Sequence, residues 1–449
     1  MILSSLLALI AATIIQVQHR QVPVVTDRDV AVASVTVPEG ITPEWQFAVS
    51  GLPAGALRGA YVRNGWVYVN VDGRRIKDLT RPFRLTVSAR GAEVRNTGVQ
   101  EHRLARKVRT RGDGGVEAYR IPGLVTSGKG TLIATYDIRR NSSRDLQEDI
   151  DVGISRSTDG GLTWGPMIIA MDMGEWGGLP ENVNGIGDPC ILVDEVTGDI
   201  LLFAAWTHGG TAGEAAWWSA GSGFDPASTP QLMMVRSTDD GLTWSAPVNL
   251  TRQVKQASWH FTFQGPGRGI TMADGTLVVP FQHQEPDRTP AAGVMYSKDR
   301  GATWQVHAYA KINTTESQVA EVEPGVLMLN MRDNRGTGRA VYVTRDLGKT
   351  WEPHVSDAAL VEPVCMASLL KAGNLLLFSN PADPKVRRNI TVRVSEDGGV
   401  TWPRELLLDE GTGWGYSCLS MIDSDTVGIL YESSQAHMTF QAVKLRDIR

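Results

Sequence analysis

Arg120, Arg139 and Asp145 are residue types that bind and protonate anionic ligands, and they flank one predicted strand. The strand is the apolar run 131–136, in the stretch from Tyr119 to Trp164. Arg120 precedes it, and the other two side chains follow it. This pattern predicts a site for an anionic ligand beside an acid. The alternative, from this stretch alone, is a pair of surface salt bridges of little energetic weight.

An octapeptide of the form Ser/Thr-x-Asp-x-Gly-x-Thr-Trp recurs and predicts the framework that positions these residues. Its copies are residues 157–164, 237–244, 297–304, 344–351 and 395–402. In each copy the hydroxyl and carboxylate can accept backbone N–H bonds, glycine allows φ > 0, and tryptophan can cover a hairpin end. The aspartates could instead serve metal binding or catalysis, but their regular recurrence favours a turn.

A predicted strand precedes each octapeptide, so each copy marks one supersecondary unit. These strands are Ile150–Ser155, Leu232–Arg236, Gly293–Tyr296, Ala340–Val343 and Thr391–Val394. Four-stranded units that close into a ring form a β-propeller. We therefore predict an all-β chain with a propeller domain over residues 106–449.

The region before the propeller divides into two predicted segments. Residues 1–20 contain an apolar block, 2–15, that predicts a signal peptide, with a retained N-terminal anchor as the alternative. Residues 21–105 show short alternating runs separated by Gly and Pro, which predict a small β-sheet module. This module could bind carbohydrate or act as a structural brace. The basic segment 103–111 is predicted to be a linker.

Composition excludes several classes of function. The 449 residues carry a net charge of −5, which argues against nucleic acid as a partner. No stretch after the N-terminal block has 18 consecutive apolar residues, so no membrane span is predicted in the body of the chain. Cys190, Cys365 and Cys418 lack metal-site spacing and are expected to be buried thiols. We expect no metal and no cofactor, and we expect secretion or a periplasmic or cell-surface location.

The octapeptide is the Asp box, and the chain resembles bacterial exo-α-sialidases (neuraminidases) over roughly residues 112–440. Asp boxes also occur in non-catalytic propellers, so the residues between the boxes carry the resemblance. It implies a six-bladed propeller of the retaining glycoside hydrolase type, preceded here by the small β module.

The resemblance implies three arginines that hold the carboxylate of a sialic acid. Arg120 lies in Tyr-Arg-Ile-Pro, and Arg332 lies in Asn-Met-Arg-Asp. The third is Arg387, two residues before an Asn, with Arg388 as the alternative. Guanidinium groups suit this task because they are permanently charged and their planar forks match carboxylate oxygens.

The resemblance also implies the catalytic groups. Asp145 matches the general acid/base, and Arg139 matches an arginine that contacts the 4-hydroxyl side of the sugar ring. Tyr416 matches the nucleophile and Glu316 its base. A phenol suits a substrate with a carboxylate on its anomeric carbon, because an anionic nucleophile would be repelled. The adjacent glutamate can remove the phenolic proton.

The remaining implied roles support these groups. Glu432 matches an acid that orients the first arginine, and Asp188 falls where the family lines its N-acyl or glycerol pocket. Phe261 and the segment Trp206–His208 are expected to line the same side. Cys365 and the following methionine depart from the family pattern, which leaves the preference for ring substituents open.

The sequence thus predicts an exo-α-sialidase that hydrolyses terminal α-ketosidically linked sialic acids by a retaining mechanism. The expected partners are sialylated glycoproteins, glycolipids and oligosaccharides. A trans-sialidase or an intramolecular lyase would use the same residues. A propeller that binds sialic acid without catalysis is the alternative from another class.

Overall fold

β-strands form nearly all regular structure in this computed structural model, which describes residues 14–145, 148–208, 215–336 and 338–449. In the N-terminal module the strands are β1 (Ile15–His19), β2 (Val24–Val25), β3 (Asp29–Thr36), β4 (Glu44–Ser50), β5 (Leu57–Arg63), β6 (Trp66–Val71), β7 (Phe83–Arg90), β8 (Val94–Thr97) and β9 (Glu101–His102). One sheet has the order β5-β6-β3-β1-β8, and a second has the order β4-β7-β9.

Alternating burial explains how these two sheets share one core. In β6, Val67, Val69 and Val71 are buried while the residues between them are half-buried. In β7, Leu85 and Val87 are buried and alternate with exposed residues. Because successive side chains of a strand point to opposite faces, each sheet has one apolar face to bury. These residues belong to a single apolar cluster.

The rest of the chain is a longer series of strands. They are β10 (Leu104–Arg109), β11 (Ala118–Thr126), β12 (Leu132–Arg139), β13 (Ile150–Ser157), β14 (Ile168–Met171), β15 (Asn184–Val193), β16 (Ile200–His208), β17 (Gln231–Ser237), β18 (Val248–Asn249), β19 (Thr262–Gln264), β20 (Gly267–Arg268), β21 (Ile270–Thr271), β22 (Leu277–Gln284), β23 (Pro290–Ser297), β24 (Gln305–Val306), β25 (Lys311–Ile312), β26 (Thr314–Glu323), β27 (Val326–Asp333), β28 (Ala340–Thr344), β29 (Glu352–Pro353), β30 (Ser368–Ala372), β31 (Leu375–Pro381), β32 (Ile390–Ser395), β33 (Arg404–Asp409), β34 (Ser417–Asp423), β35 (Thr426–Tyr431) and β36 (Met438–Lys444).

Among the described residues, helical structure is confined to single turns. The α-helical turns are α1 (Ala216–Ser219) and α2 (Thr251–Val254). The 3-10 turns are Gly73–Arg75, Asp113–Gly115, Trp176–Gly178, Glu181–Val183 and Leu445–Asp447. No helix within the described ranges is long and apolar enough to cross a membrane.

These strands pair into antiparallel units in cyclic order. The runs β11 to β14 and β15 to β18 are linked by one parallel bridge, between Ile150 and Gly185. Strands β22 to β24, β26 to β29, β30 to β33 and β34 to β36 form further units. Strand β11 contacts both β15 and β34, while β26 lies between β22 and β30. This order is that of a β-propeller, and the sequence-based count of six blades stays a prediction.

The Asp boxes build the predicted turns. In the first box, the Ser157 hydroxyl accepts a hydrogen bond from the Gly161 N–H at 2.9 Å and donates to Asp159. The Asp159 carboxylate accepts from the backbone N–H and the hydroxyl of Thr163. The other four boxes repeat these bonds. The aspartates therefore serve the architecture, as predicted.

The predicted linker at 103–111 is wrong, because most of this segment is strand β10. Its residue Arg106 pairs with Phe440 of β36, and Leu104 pairs in parallel with Val24 of β2. The partner strand lies at the far end of the chain, so no local pattern could reveal the pairing. The predicted boundary between residues 105 and 106 falls inside this strand.

The predicted signal segment 1–20 lies partly outside the described residues. Its last part is strand β1, which pairs with β3 and β8 and buries Ile15 and Val17 completely. The β module therefore begins before the predicted boundary at residue 21.

Candidate active site

Seven of the nine predicted site residues line one cavity of about 550 Å³. Those that line it are Arg120, Asp145, Asp188, Glu316, Arg332, Arg387 and Tyr416. They come from strands β11, β15, β26 and β27, from the β12–β13 and β31–β32 loops, and from the residue before β34. The propeller thus gathers residues that are up to nearly 300 positions apart in the chain.

Tyr416 and Glu316 form the centre of this cavity. The Tyr416 hydroxyl donates a hydrogen bond to Glu316 Oε1. Arg332 Nη1 donates to Glu316 Oε2 at 2.7 Å and to the Tyr416 hydroxyl at 3.3 Å. Burial and the Glu316 carboxylate raise the pKa of Tyr416 well above its ordinary value, while the arginines oppose this. The phenol therefore keeps its proton, with an acceptor already in contact.

The Glu432 carboxylate binds the Arg120 side chain and the backbone N–H groups of Ile121 and Tyr416. Its carboxylate accepts from Arg120 Nε at 2.9 Å and Nη2 at 3.3 Å, and from the Ile121 N–H at 3.0 Å. It also accepts from the Tyr416 N–H at 3.0 Å. Ile121 has a φ of 62° at an irregularity in β11, which turns its N–H towards this carboxylate. Glu432 is 1% exposed and does not line the cavity, so it positions other groups.

Of the two candidates for the third arginine, Arg387 lines the cavity. Its Nη1 donates to the Trp414 carbonyl at 3.1 Å, and its guanidinium lies 5.6 Å from the centre of the Tyr416 ring. Arg388 instead pairs with Asp383 at 2.7 Å, with half of its side chain exposed. Arg387 makes no ion pair with the described residues. An anionic ligand would supply the missing countercharge.

Asp145 is solvent-accessible at the cavity, with 70% of its side chain exposed. Its Oδ1 lies 2.7 Å from Arg139 Nη1 and 3.5 Å from Arg120 Nη1. The cavity walls around the carboxyl reduce its hydration, which would raise its pKa, but the charges of Arg139 and Arg120 outweigh this and hold the pKa below its ordinary value. The acid/base candidate is thus coupled electrostatically to Arg120, one of the arginines predicted to bind the carboxylate.

Arg139 does not line the cavity, and its predicted contact with the sugar is wrong for this structure. The side chain is completely buried at the end of β12. It pairs with Asp137 at 2.9 Å and donates to the carbonyls of Ser143 and Arg144. Because it also holds Asp145, Arg139 shapes the loop that presents the acid. Its spacing from Arg120 indicated proximity to the site but not the direction of the side chain.

Asp188 lines the cavity and has an unusual backbone conformation. Its φ is 58°, and its N–H donates to Asp137 Oδ1 at 2.9 Å. Burial, followed by the nearby charges of Asp137 and Asp145, raises its pKa well above the ordinary value. A protonated Asp188 can donate a hydrogen bond to a ligand. Its assignment to an N-acyl or glycerol pocket stays a prediction.

Phe261 lines this side of the cavity, but Trp206 does not. The Trp206 ring is completely buried, packs edge-on against Trp176 and donates to the Asn184 side chain. The prediction that this residue lines the cavity is therefore wrong. The side chain of His208 lies outside what the structure describes.

Comparisons with known proteins identify the family of the chain. Residues 130–430 match the model of the BNR repeat-like domain family. A sialidase of Bacteroides fragilis (strain YCH46) is 61% identical over 359 residues, which is 78% of this chain and 66% of that protein. The solved structure of the Hadza microbial sialidase Hz136 is 46% identical, covers 97% of this chain and 100% of that chain, and has a TM-score of 0.88. The chain belongs to the sialidase family of glycoside hydrolases.

Coverage differs among the sialidase relatives. The sialidase of Micromonospora viridifaciens is 32% identical over 336 residues, 71% of this chain and 50% of that protein. The chain thus spans half to two thirds of the length of these two curated relatives and the whole of the solved one.

Sequence reasoning missed several aromatic residues in and beside this cavity. Trp217 lies edge-on to Phe261 and Phe263, and Trp218 is 69% exposed at the same cavity. Trp414 lies over the Arg120 guanidinium at 4.8 Å. The adjacent pair of Trp217 and Trp218 is visible in the sequence, but only the fold shows that both line the cavity that holds the charged groups.

Proposed function

We propose that this chain is an exo-α-sialidase that removes terminal α-linked sialic acids from glycoproteins, glycolipids and oligosaccharides with retention of configuration. The observation that carries the proposal is the Tyr416 hydroxyl donating to Glu316 inside a cavity lined by three arginines. The proposed enzyme class also fits the family of its relatives, which are named sialidases.

The carboxylate of the substrate is the group that the arginines bind. Arg120, Arg332 and Arg387 all line the cavity and can share one carboxylate between them. Since Arg120 is fixed by Glu432 and Arg332 by Glu316, their orientation is set before the ligand arrives. Such preorganisation reduces the ordering cost of binding.

The first chemical step forms a bond between the Tyr416 oxygen and the anomeric carbon. Glu316 accepts the phenolic proton as the bond between that carbon and the leaving-group oxygen breaks. Asp145 donates a proton to the departing oxygen. A substrate carboxylate bound at Arg120 neutralises that guanidinium, so the pKa of Asp145 rises from its lowered value when the substrate binds.

The second step reverses these roles. Asp145, now ionised, removes a proton from water, whose oxygen attacks the anomeric carbon from the face the leaving group left. The bond to Tyr416 breaks, and its oxygen regains the proton held by Glu316. Two displacements at one carbon give retention. A sugar hydroxyl in place of water gives the trans-sialidase product, and an internal hydroxyl gives the lyase product.

Covalent labelling tests this mechanism. A 3-fluorosialosyl fluoride should label the wild-type protein, and peptide mapping should place the adduct on Tyr416. Tyr416→Phe should abolish labelling. The matched control is Tyr431→Phe, which removes a buried hydroxyl bonded to Gln441 from the same sheet and should label normally. An adduct on a carboxylate, or binding without labelling as in a lectin, would refute the proposal.

Two further assays test Asp145 as the general acid and identify the reaction product. Asp145→Asn should slow the cleavage of natural glycans by roughly 10²- to 10⁴-fold, the usual contribution of a general acid. Activated aryl sialosides should lose far less, because their leaving groups need little protonation. Equal losses on both substrates would exclude Asp145 from this role. Mass spectrometry of the released sugar separates hydrolysis from transfer or lyase chemistry.

We also propose that the enzyme is exported, supported by the apolar block 2–15 and by substrates that occur on cell surfaces. Because β1 begins at Ile15 and belongs to the module sheet, processing should fall before this residue. Amino-terminal sequencing of protein from the extracellular or periplasmic fraction tests this. Full-length protein found only in the cytoplasm would contradict it.

A further inference from the structure

The loop that carries Tyr416 is rich in glycine and depends on outside support. Residues 410–416, here called the nucleophile loop, read Glu-Gly-Thr-Gly-Trp-Gly-Tyr and connect β33 to β34. A Cβ on Gly411 would lie 2.4 Å from Ser434, and one on Gly413 would lie 2.7 Å from the Glu432 carbonyl. The close packing thus requires glycine, whose backbone loses the most freedom on ordering.

The position of this loop sets the spacing of the catalytic groups. Trp414 lies over the Arg120 guanidinium, and its carbonyl accepts from Arg387 Nη1 at 3.1 Å. Two residues later, the Tyr416 N–H donates to Glu432. A displaced nucleophile loop would therefore move two carboxylate-binding arginines relative to the phenol.

The N-terminal β module holds the first residue of the nucleophile loop. Arg20 Nε donates to Glu410 Oε1 at 2.8 Å, and the Gln21 N–H donates to Oε2 at 3.1 Å. The Glu410 N–H donates to the Gln21 carbonyl at 2.8 Å. Arg20 also lies over the Trp66 ring of β6 at 5.5 Å, so the guanidinium is fixed from both sides.

The module also holds the neighbouring loop that carries Glu432. Residues 432–437 connect β35 to β36 and are here called the acid loop. Arg28 Nη1 donates to the Gln435 carbonyl at 2.7 Å. The buried Asp409, which precedes the nucleophile loop, accepts from the N–H and hydroxyl of Ser434 and ties the two loops together.

We propose that the N-terminal β module takes part in the reaction, with Arg20 and Arg28 as positioning residues that hold the nucleophile loop and the acid loop. Neither arginine lines the cavity, so each acts through the residues it holds. This role needs no carbohydrate bound to the module, and it explains why the module docks beside these two loops. The inference rests on the proposed sialidase activity for its kinetic consequence.

Steady-state kinetics of the full chain tests the main contact. Arg20→Gln should lower kcat for an activated aryl sialoside by roughly tenfold. The loss of an accessible ion pair alone corresponds to a factor of up to about five. A misplacement of the reacting groups by about 1 Å corresponds to a factor of roughly 10². The control is Arg90→Gln, which breaks the cross-strand pair with Glu44 in the module's other sheet. Its kcat should stay within twofold of the wild type.

A charge exchange separates positioning from general destabilisation. Arg20→Glu should lower kcat at least as much as Arg20→Gln, and adding Glu410→Arg should restore most of the loss. Thermal unfolding measured in parallel should show no matching loss and recovery. No recovery in the exchanged pair, or kcat values that follow the unfolding temperature, would overturn the inference.

An activity-independent measurement keeps the two proposals distinguishable. Amide hydrogen exchange of residues 411–416 should be at least tenfold faster in Arg20→Gln and unchanged in Arg90→Gln. If the wild-type protein shows no sialidase activity but exchange responds as expected, the proposed function fails and the positioning contact stands. If an active wild type shows neither the exchange response nor the kcat loss in Arg20→Gln, the positioning role is refuted.

Discussion

Replacing Glu432 by glutamine should be among the most damaging single changes in the propeller. The carboxylate is almost fully buried and accepts four hydrogen bonds, two of them from the guanidinium of Arg120. Arg120 has only 9% of its side chain exposed, so removing the charge leaves this buried cation, among the described residues, with only the exposed Asp145 carboxylate 3.5 Å away as a counterion. Breaking a buried ion pair in this way costs about 3–5 kcal/mol of unfolding free energy.

The activity of Glu432→Gln should fall as well, because Arg120 loses its fixed orientation. A charge-assisted hydrogen bond is worth about 1.5–3 kcal/mol, which corresponds to a loss of roughly 10- to 150-fold in kcat/KM. Arg120 would then be free to pair more closely with Asp145, now 3.5 Å away. The pKa of Asp145 should fall further, which shifts the alkaline limb of the pH–rate profile, where the general acid loses its proton, to lower pH.

Urea unfolding and steady-state kinetics measure both effects. The matched control is Glu405→Gln, which removes the same charge from a pair with Arg393 at the surface, where 59% of the glutamate is exposed. Such pairs contribute about 0–1 kcal/mol. If Glu432→Gln lost no more stability than Glu405→Gln and kept its kcat/KM, the reasoning about Glu432 would be refuted.

Three other changes give sharp outcomes. Arg387→Ala should lower kcat/KM at least tenfold while Arg388→Ala changes it less than twofold, and equal losses would remove the distinction between them. Trp304→Ala should lower the free energy of unfolding, measured in urea, by about 3–5 kcal/mol because the ring is 2% exposed. Trp244→Ala should lower it less because that ring is partly exposed. The reverse order of the two losses would contradict this reasoning. Burial lowers the pKa of His102 to about 3, so the unfolded chain takes up a proton below about pH 6.5 that the folded module does not, and stability should fall as the pH drops from 6.5 towards 3. His102→Gln should flatten that slope in thermal unfolding, and an unchanged slope would exclude this histidine.

The sequence predicted which side chains lie close together where a short spacing reflects strand pairing. Glu316 lies 16 residues before Arg332, and the two side chains meet because β26 and β27 are paired strands. Asp145 follows Arg120 across the single hairpin of β11 and β12. In both cases a short, regular connection converts distance along the chain into proximity in space.

Spacing alone could not give the direction of a side chain. Arg139 has the expected sequence spacing from Arg120, yet its side chain points under the loop that carries Asp145 and is completely buried. Trp206 lies on a strand near the cavity but faces the apolar core. One residue of shift along a strand reverses the face that a side chain occupies, so these orientations depend on register, which the sequence did not specify.

Contacts between distant parts of the chain were also beyond local patterns. The sequence of β10 predicts a linker because its partner strand, β36, is at the other end of the chain. Two further contacts join regions that only the closed propeller brings together. They are the contact of the Trp414 ring with the Arg120 guanidinium and the hydrogen bond from Arg20 to Glu410. No signal within either segment indicates the other.

The pairing of β10 with β36 has a consequence for biosynthesis. Gln441 donates to the Leu104 carbonyl across 337 residues, so β10 is synthesised long before its partner exists. Until then its backbone edge is open to other strands, including those of neighbouring chains. Loops of this length also make ring closure slow. A chain truncated before β36 would keep the exposed edge permanently, so premature termination should yield aggregates instead of a smaller folded protein.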